Sequence, residues 1–113
     1  MLGGGFFAVS NMMFPKKAKV ETINRFKSDN EKVVEQFKNN MFFEMSHAQP
    51  WGKSQLLCAI ESLGADHIIF GTSYPVRKEW LLEGAGFVKE LEITEEEKEL
   101  ILGKNAQSLY AIE

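Results

Sequence analysis

The chain has one cysteine, Cys58, and two histidines, His47 and His67, in 113 residues. A single cysteine excludes a disulfide within the chain and suits a reducing compartment, so a cytoplasmic location is expected. Two imidazoles with no third ligand spaced to join them make a self-contained zinc site improbable, and no metal ligand is assigned. There is no basic excess either. The formal net charge is −3, which argues against a nucleic-acid surface, and the small cluster Lys16, Lys17 and Lys19 reads as a solvated loop. No apolar run approaches the roughly 20 residues that span a bilayer, so no membrane partner is expected. The opening MLGGGFFAVSNMMF lacks the basic start of a secretory leader.

What remains is ordinary globular material, 44% hydrophobic and 26% charged. It is enough for one domain over residues 1–113. Residues 1–17 form an apolar, glycine-rich segment suited to lying against something apolar, with Gly3, Gly4 and Gly5 followed by Phe6 and Phe7. No Gly-Lys-Ser/Thr follows those glycines, so a phosphate loop is not supported. Residues 18–113 carry helix and strand–helix patterns.

The most informative stretch is HIIFGTSYP, His67 to Pro75. Ile68, Ile69 and Phe70 run without alternation, as in a parallel strand covered on both faces. Gly71 lets the backbone turn, and Thr72, Ser73 and Tyr74 then set three hydroxyls at the carboxyl end of the strand, where open sheets and barrels place their chemistry. Upstream, Phe42–Ser46 is strand-like, with a loop from His47 to Trp51. Lys53–Leu63 is predicted helical, with Leu56, Leu57, Ile60 and Leu63 on one face and Gly64 as an αL cap. Cys58 lies within this stretch and reads as a buried structural thiol. Helices are also expected at 31–39, where Asn39-Asn40 ends the pattern, and at 78–91, with Trp80, Leu81, Phe87, Val88 and Leu91 on the apolar face. Gly84 and Gly86 in the latter point to close packing. Thr94 opens a capping box with Glu97. Leu100, Ile101 and Leu102 should pack inward, Gly103 should stop that helix, and 105–112 should form a closing helix. The order predicts an α/β fold with 42–46 and 67–70 as parallel neighbours, and parallel edges left open are a liability.

The words FFEMSH, IESLGADHIIFGTSYP and ITEEEKELILGKNAQSLYAI resemble the C-terminal end of the amidohydrolase-related family of metal-dependent hydrolases and nonoxidative decarboxylases. LGGG is similar to the segment after that family's sixth barrel strand. The resemblance implies a partial (β/α)8 barrel: the last two or three βα units plus C-terminal helices, of a fold that needs about 250 residues when whole. It also implies a divalent metal such as zinc in the family and a small carboxylated substrate. Two departures follow from it. Where the family's Gly-Thr-Asp-Tyr-Pro loop carries a metal-binding aspartate, this chain has Ser73, and a neutral hydroxyl supplies neither the negative charge nor the base. The family's histidine before the glycines falls at Met1. No cofactor is therefore expected for this chain alone.

His47 matches a histidine at the end of the seventh strand of decarboxylase-like relatives. It reads either as a pocket residue that hydrogen-bonds substrate or as a loop histidine bonded to backbone. His67 reads as a satisfied structural residue. Trp51 and Trp80 could line a pocket, against packing in a core or interface. Tyr74 adds a hydroxyl at the loop. Arg77 could hold a carboxylate in bidentate fashion, against an ion pair with Glu79 or Glu83. Three functions stay open: a C-terminal portion inactive by itself and self-associating, a subunit completed by another chain, and an interaction module that docks through Phe6–Phe14.

Overall fold

A computed structural model describes residues 39–112. The expectations for the glycine-rich segment, the lysine cluster, the docking surface and the stretch 18–38 lie outside the described residues. Asn39 and Asn40 are both helical, and the helix is over by Met41.

Two parallel strands form the sheet, β1 (Phe43–Glu44) and β2 (Ile68–Ile69). Phe43 faces Ile68 and Glu44 faces Ile69. Both strands are shorter than expected. β1 ends where the Glu44 carboxylate turns back on Ser46, and β2 is entered through a 3₁₀ turn, Ala65–His67. Phe43 and Met45 are buried and Glu44 is exposed, the alternation a pleated strand requires. Ile68 is fully buried, but Ile69 and Phe70 are only half-buried, so the run is not covered evenly on both faces.

Helix α1 (Lys53–Leu63) connects the strands, and α2 (Lys78–Lys89) follows the loop after β2. The α1 bounds are those read from its apolar spacing; Leu56 and Ile60 are buried, with Leu57 and Leu63 packed beside them. Gly64 after α1 has φ 99° and ψ 144°, so it is not the αL cap expected. It is still a position for glycine, because a Cβ there would run into the Asp66 carboxylate. Cys58 is exposed, which corrects the expectation of a buried thiol: it sits on the solvent side of the stripe formed by Leu56, Ala59 and Ile60. On α2, Val88 and Gly84 are buried while Leu81 is 45% exposed. Gly84 does serve packing, since a Cβ would lie 2.8 Å from Gln49 Nε2 and 3.1 Å from Phe70 Cζ. Gly86 does not, for nothing stands within 4 Å of its Cβ position. Gly86→Ala is accordingly expected to stabilise the fold by about 1 kcal/mol, the helix-propensity difference, as a higher midpoint in urea unfolding.

The C-terminal run departs most from expectation. Thr94 and Glu97 form the predicted capping box at α3 (Glu95–Glu99). Gly103, however, stops nothing. The chain continues as a π-helical segment, Leu100–Lys104, directly into α4 (Asn105–Leu109). Within this segment Asn105 N–H donates to Leu100 O, one residue further back than in an α-helix. The Ile101 carbonyl, which an α-helix would assign to that N–H, accepts instead from Phe70 N–H at 3.0 Å. The Asn105 side chain donates to Ala65 O at 2.7 Å and to Ile68 O at 2.8 Å. Since Ile69 O faces β1, accepting from Met45 N–H, residues 68 and 70 point to the other edge of β2. That edge is thus covered by helix rather than left open, a standard protection for an edge strand. Beyond Leu109, Ile112 N–H returns to Gln107 O and Ala111 N–H to Ser108 O, with Ala111 at φ 48°. This is a Schellman-type stop, and it ends the closing helix earlier than the 112 expected. Met45, Leu56, Ile68, Val88 and Ile101 form the fully buried centre, one or more from each layer.

Candidate functional site

The site lies where β1 and β2 both end. After β1 the Glu44 carboxylate accepts from the Ser46 N–H at 2.8 Å and also bonds the Ser46 hydroxyl. This holds the chain in a reversal through His47, whose φ is 66°. After β2, Gly71 passes against Glu44 with no room for a Cβ, and the loop turns at Ser73, φ 55°, closed by Val76 N–H donating to Ser73 O at 2.8 Å. The Tyr74–Pro75 peptide is cis. Left-handed backbone is uncommon for residues other than glycine. Among the described residues, His47 and Ser73 are two of three such positions, and they meet: His47 Nε2 lies 2.7 Å from Ser73 Oγ.

The imidazole is also held from the side. Trp80, on the first turn of α2, meets it edge-on, with ring centres 4.6 Å apart and planes at 65°. Gln49 Nε2 donates to Trp80 O at 3.0 Å, tying the loop after β1 to α2 at the point where Gly84 permits close approach. Both His47 and Ser73 are half-buried, so the pair is fixed but reachable.

Of the residues singled out from sequence, the structure brings His47 and Ser73 together and adds Trp80. Trp51 is 74% exposed, at the end of a 3₁₀ turn (Gln49–Trp51), and does not pack in the core. Tyr74 is 61% exposed. Arg77 is exposed at the N-cap of α2 and pairs with neither Glu79 nor Glu83. Trp51 stands on the loop after β1, and Tyr74 and Arg77 on the loop after β2. His67 is buried and bonds Met41 O through Nδ1 at 2.7 Å. Glu44 and Gln49 position the site and were missed. The outward place of Glu44 in FFEMS was a usable signal; Gln49 offered none. A shallow, open depression of about 580 Å³ lies elsewhere, between α1 and the start of α3, lined by Leu57, Ile60, Glu61, Ile93 and Glu97 among others. It contains none of the predicted site residues. At the start of α1, Lys53 Nζ bonds Glu90 at 2.8 Å. That hydrogen bond and charge hold the Glu90 carboxyl below its ordinary range.

A family model described as Amidohydrolase matches residues 39–112. The chain belongs to that family, whose fold is the TIM barrel. No curated protein and no solved structure matches the chain. The divalent metal that the family implies does not fit the residues present at this loop. Ser73 offers a neutral hydroxyl already bonded to His47, and among the described residues no group of three His, Cys, Asp or Glu side chains is placed to hold an ion.

Proposed function

We propose that this chain is a C-terminal portion of an amidohydrolase-related hydrolase or decarboxylase, and that it is not a metal-dependent catalyst by itself. One observation carries the reading: at the loop where the resemblance places a metal-binding aspartate, Ser73 Oγ is bonded to His47 Nε2 at 2.7 Å. A hydroxyl–imidazole pair has no fixed negative charge to hold a divalent cation. The two βα loops it joins are those that would contribute to a pocket for a small carboxylated substrate, with His47, Trp51, Tyr74 and Arg77 as contacts.

The large exposed apolar side chains favour association, through a second copy or a complementary barrel chain. Trp51 is 74%, Leu82 71% and Val76 65% exposed. A completing strand would not simply add beside β2, because Asn105 and Ile101 already occupy the hydrogen-bonding groups of Ile68 and Phe70. Light scattering coupled to size-exclusion chromatography of the full chain tests association. A dimer or larger species is expected at high concentration. A well-behaved monomer there contradicts self-association, and capture of a second barrel chain from the same source then decides for completion in trans.

A further inference from the structure

We propose that Ser73 and His47 form a nucleophile–base pair capable of metal-independent acyl transfer from small esters. It rests on the metal-free reading of this loop given above and assigns a chemistry to the pair; an unlabelled chain would remove the chemistry and leave that reading standing.

Three features carry it. The first is the hydrogen bond, His47 Nε2 to Ser73 Oγ at 2.7 Å, the separation a base needs to take a hydroxyl proton. The second is backbone placement. Ser73 stands in a strained turn between a parallel strand and a helix, at φ 55°, within Gly71-Thr72-Ser73-Tyr74-Pro75. A strand-to-helix turn of this kind is how α/β hydrolases expose a serine nucleophile. Strain at both His47 and Ser73 is the sort that persists where surrounding structure enforces it; here Glu44, Gly71, Gln49 and Trp80 do so. The third is a donor for developing charge. In such turns the N–H of the residue after the nucleophile serves the oxyanion, and among the described residues Tyr74 N–H donates only to Thr72 Oγ1, at a long 3.4 Å.

The step balances without a further reactant. Ser73 Oγ attacks the ester carbonyl carbon as its proton passes to His47 Nε2, and the carbonyl electrons move onto oxygen beside Tyr74 N–H. Collapse breaks the ester C–O bond, and the alcohol departs with the proton from His47. Water then attacks the acyl-serine carbonyl, gives a proton to His47, and releases the carboxylic acid as Ser73 recovers its proton. No carboxylate forms an ion pair with His47 among the described residues, so the pair lacks the orienting acid of a triad. Altering that acid costs a serine protease about 10⁴-fold. Turnover is therefore slow, and covalent capture is the better readout.

The test is a tagged fluorophosphonate incubated with the full chain, read by intact mass and peptide mapping, with and without EDTA. The expected result is one label per chain at Ser73, unchanged by EDTA and lost in urea. Ser46, Ser54, Ser62 and Ser108 serve as internal controls on the unaltered protein. His47→Gln with an unchanged circular dichroism spectrum should slow labelling about 100-fold, the lower range for a general base. An unlabelled chain, label spread over several serines, or Ser73 labelling unaffected by a folded His47→Gln variant overturns the proposal. EDTA-sensitive labelling would overturn it too, and would count against the metal-free reading of the site as well.

Discussion

Asn105→Ala is expected to destabilise the fold by about 2–4 kcal/mol, the scale of leaving buried polar groups unpaired. Asn105 is 5% exposed, and its amide nitrogen supplies both bonds, to Ala65 O and to Ile68 O. Alanine removes two donors together and leaves two carbonyls facing a cavity. Urea unfolding reads the loss directly. Asn105→Asp separates hydrogen bonding from shape: the carboxylate is nearly isosteric but accepts only near neutral pH, so it should cost at least as much as alanine. If aspartate were tolerated, the side chain would be filling space rather than pinning the strand. Because Asn105 N–H also defines the π-helical step at Leu100 O, either change should loosen the Phe70 N–H to Ile101 O bond, seen as faster amide exchange at Phe70.

The second large effect is at Gly71. A Cβ there would overlap the Glu44 carboxylate, with Glu44 Cγ only 2.9 Å away. The whole Glu44 side chain would have to move, releasing the Ser46 N–H it accepts. A hydrogen bond to a charged acceptor is worth roughly 1.5–3 kcal/mol, so Gly71→Ala should cost about 2 kcal/mol. The reversal at His47 rests on the same Glu44–Ser46 contact, so the His47–Ser73 pair should loosen with it. A double-mutant cycle isolates the cause: once Glu44→Ala is in place, Gly71→Ala should cost less than about 0.5 kcal/mol, since neighbouring residues couple strongly and independent ones add. Equal costs in both backgrounds would mean that the glycine is kept for backbone reasons alone.

These two positions show which parts of the fold local sequence could reveal. Helix α1, the Thr94–Glu97 capping box and the parallel pairing of β1 with β2 were legible because each depends on spacing within a few residues or on element order. Gly103 misled because propensity argued for a stop, while the long-range bond from Phe70 N–H and the pinning by Asn105 carried the helix through. Gly84 and Gly86 both read as packing positions because each costs helix propensity, and Gly84 alone of the two packs closely; spacing cannot say which of two neighbouring glycines faces the body of the protein. Cys58 was placed inside because its neighbours in α1 are apolar, and it lies on the exposed side of that helix; Trp51, open between a pocket and a packed position, is exposed. The His47–Ser73 bond joins residues 26 apart in sequence and requires left-handed backbone at both. Each residue was visible as a candidate, but their pairing was not.

This family member holds a hydroxyl–imidazole pair at the loop where the family resemblance places a metal ligand. Titration of the full chain with zinc ions, followed by calorimetry and by metal analysis after dialysis, tests it most directly. The predicted result is no stoichiometric uptake, with Ser73→Ala and His47→Ala behaving as the unaltered chain does. One tightly held zinc per chain, lost when either residue is replaced, would show instead that the pair is part of a metal site.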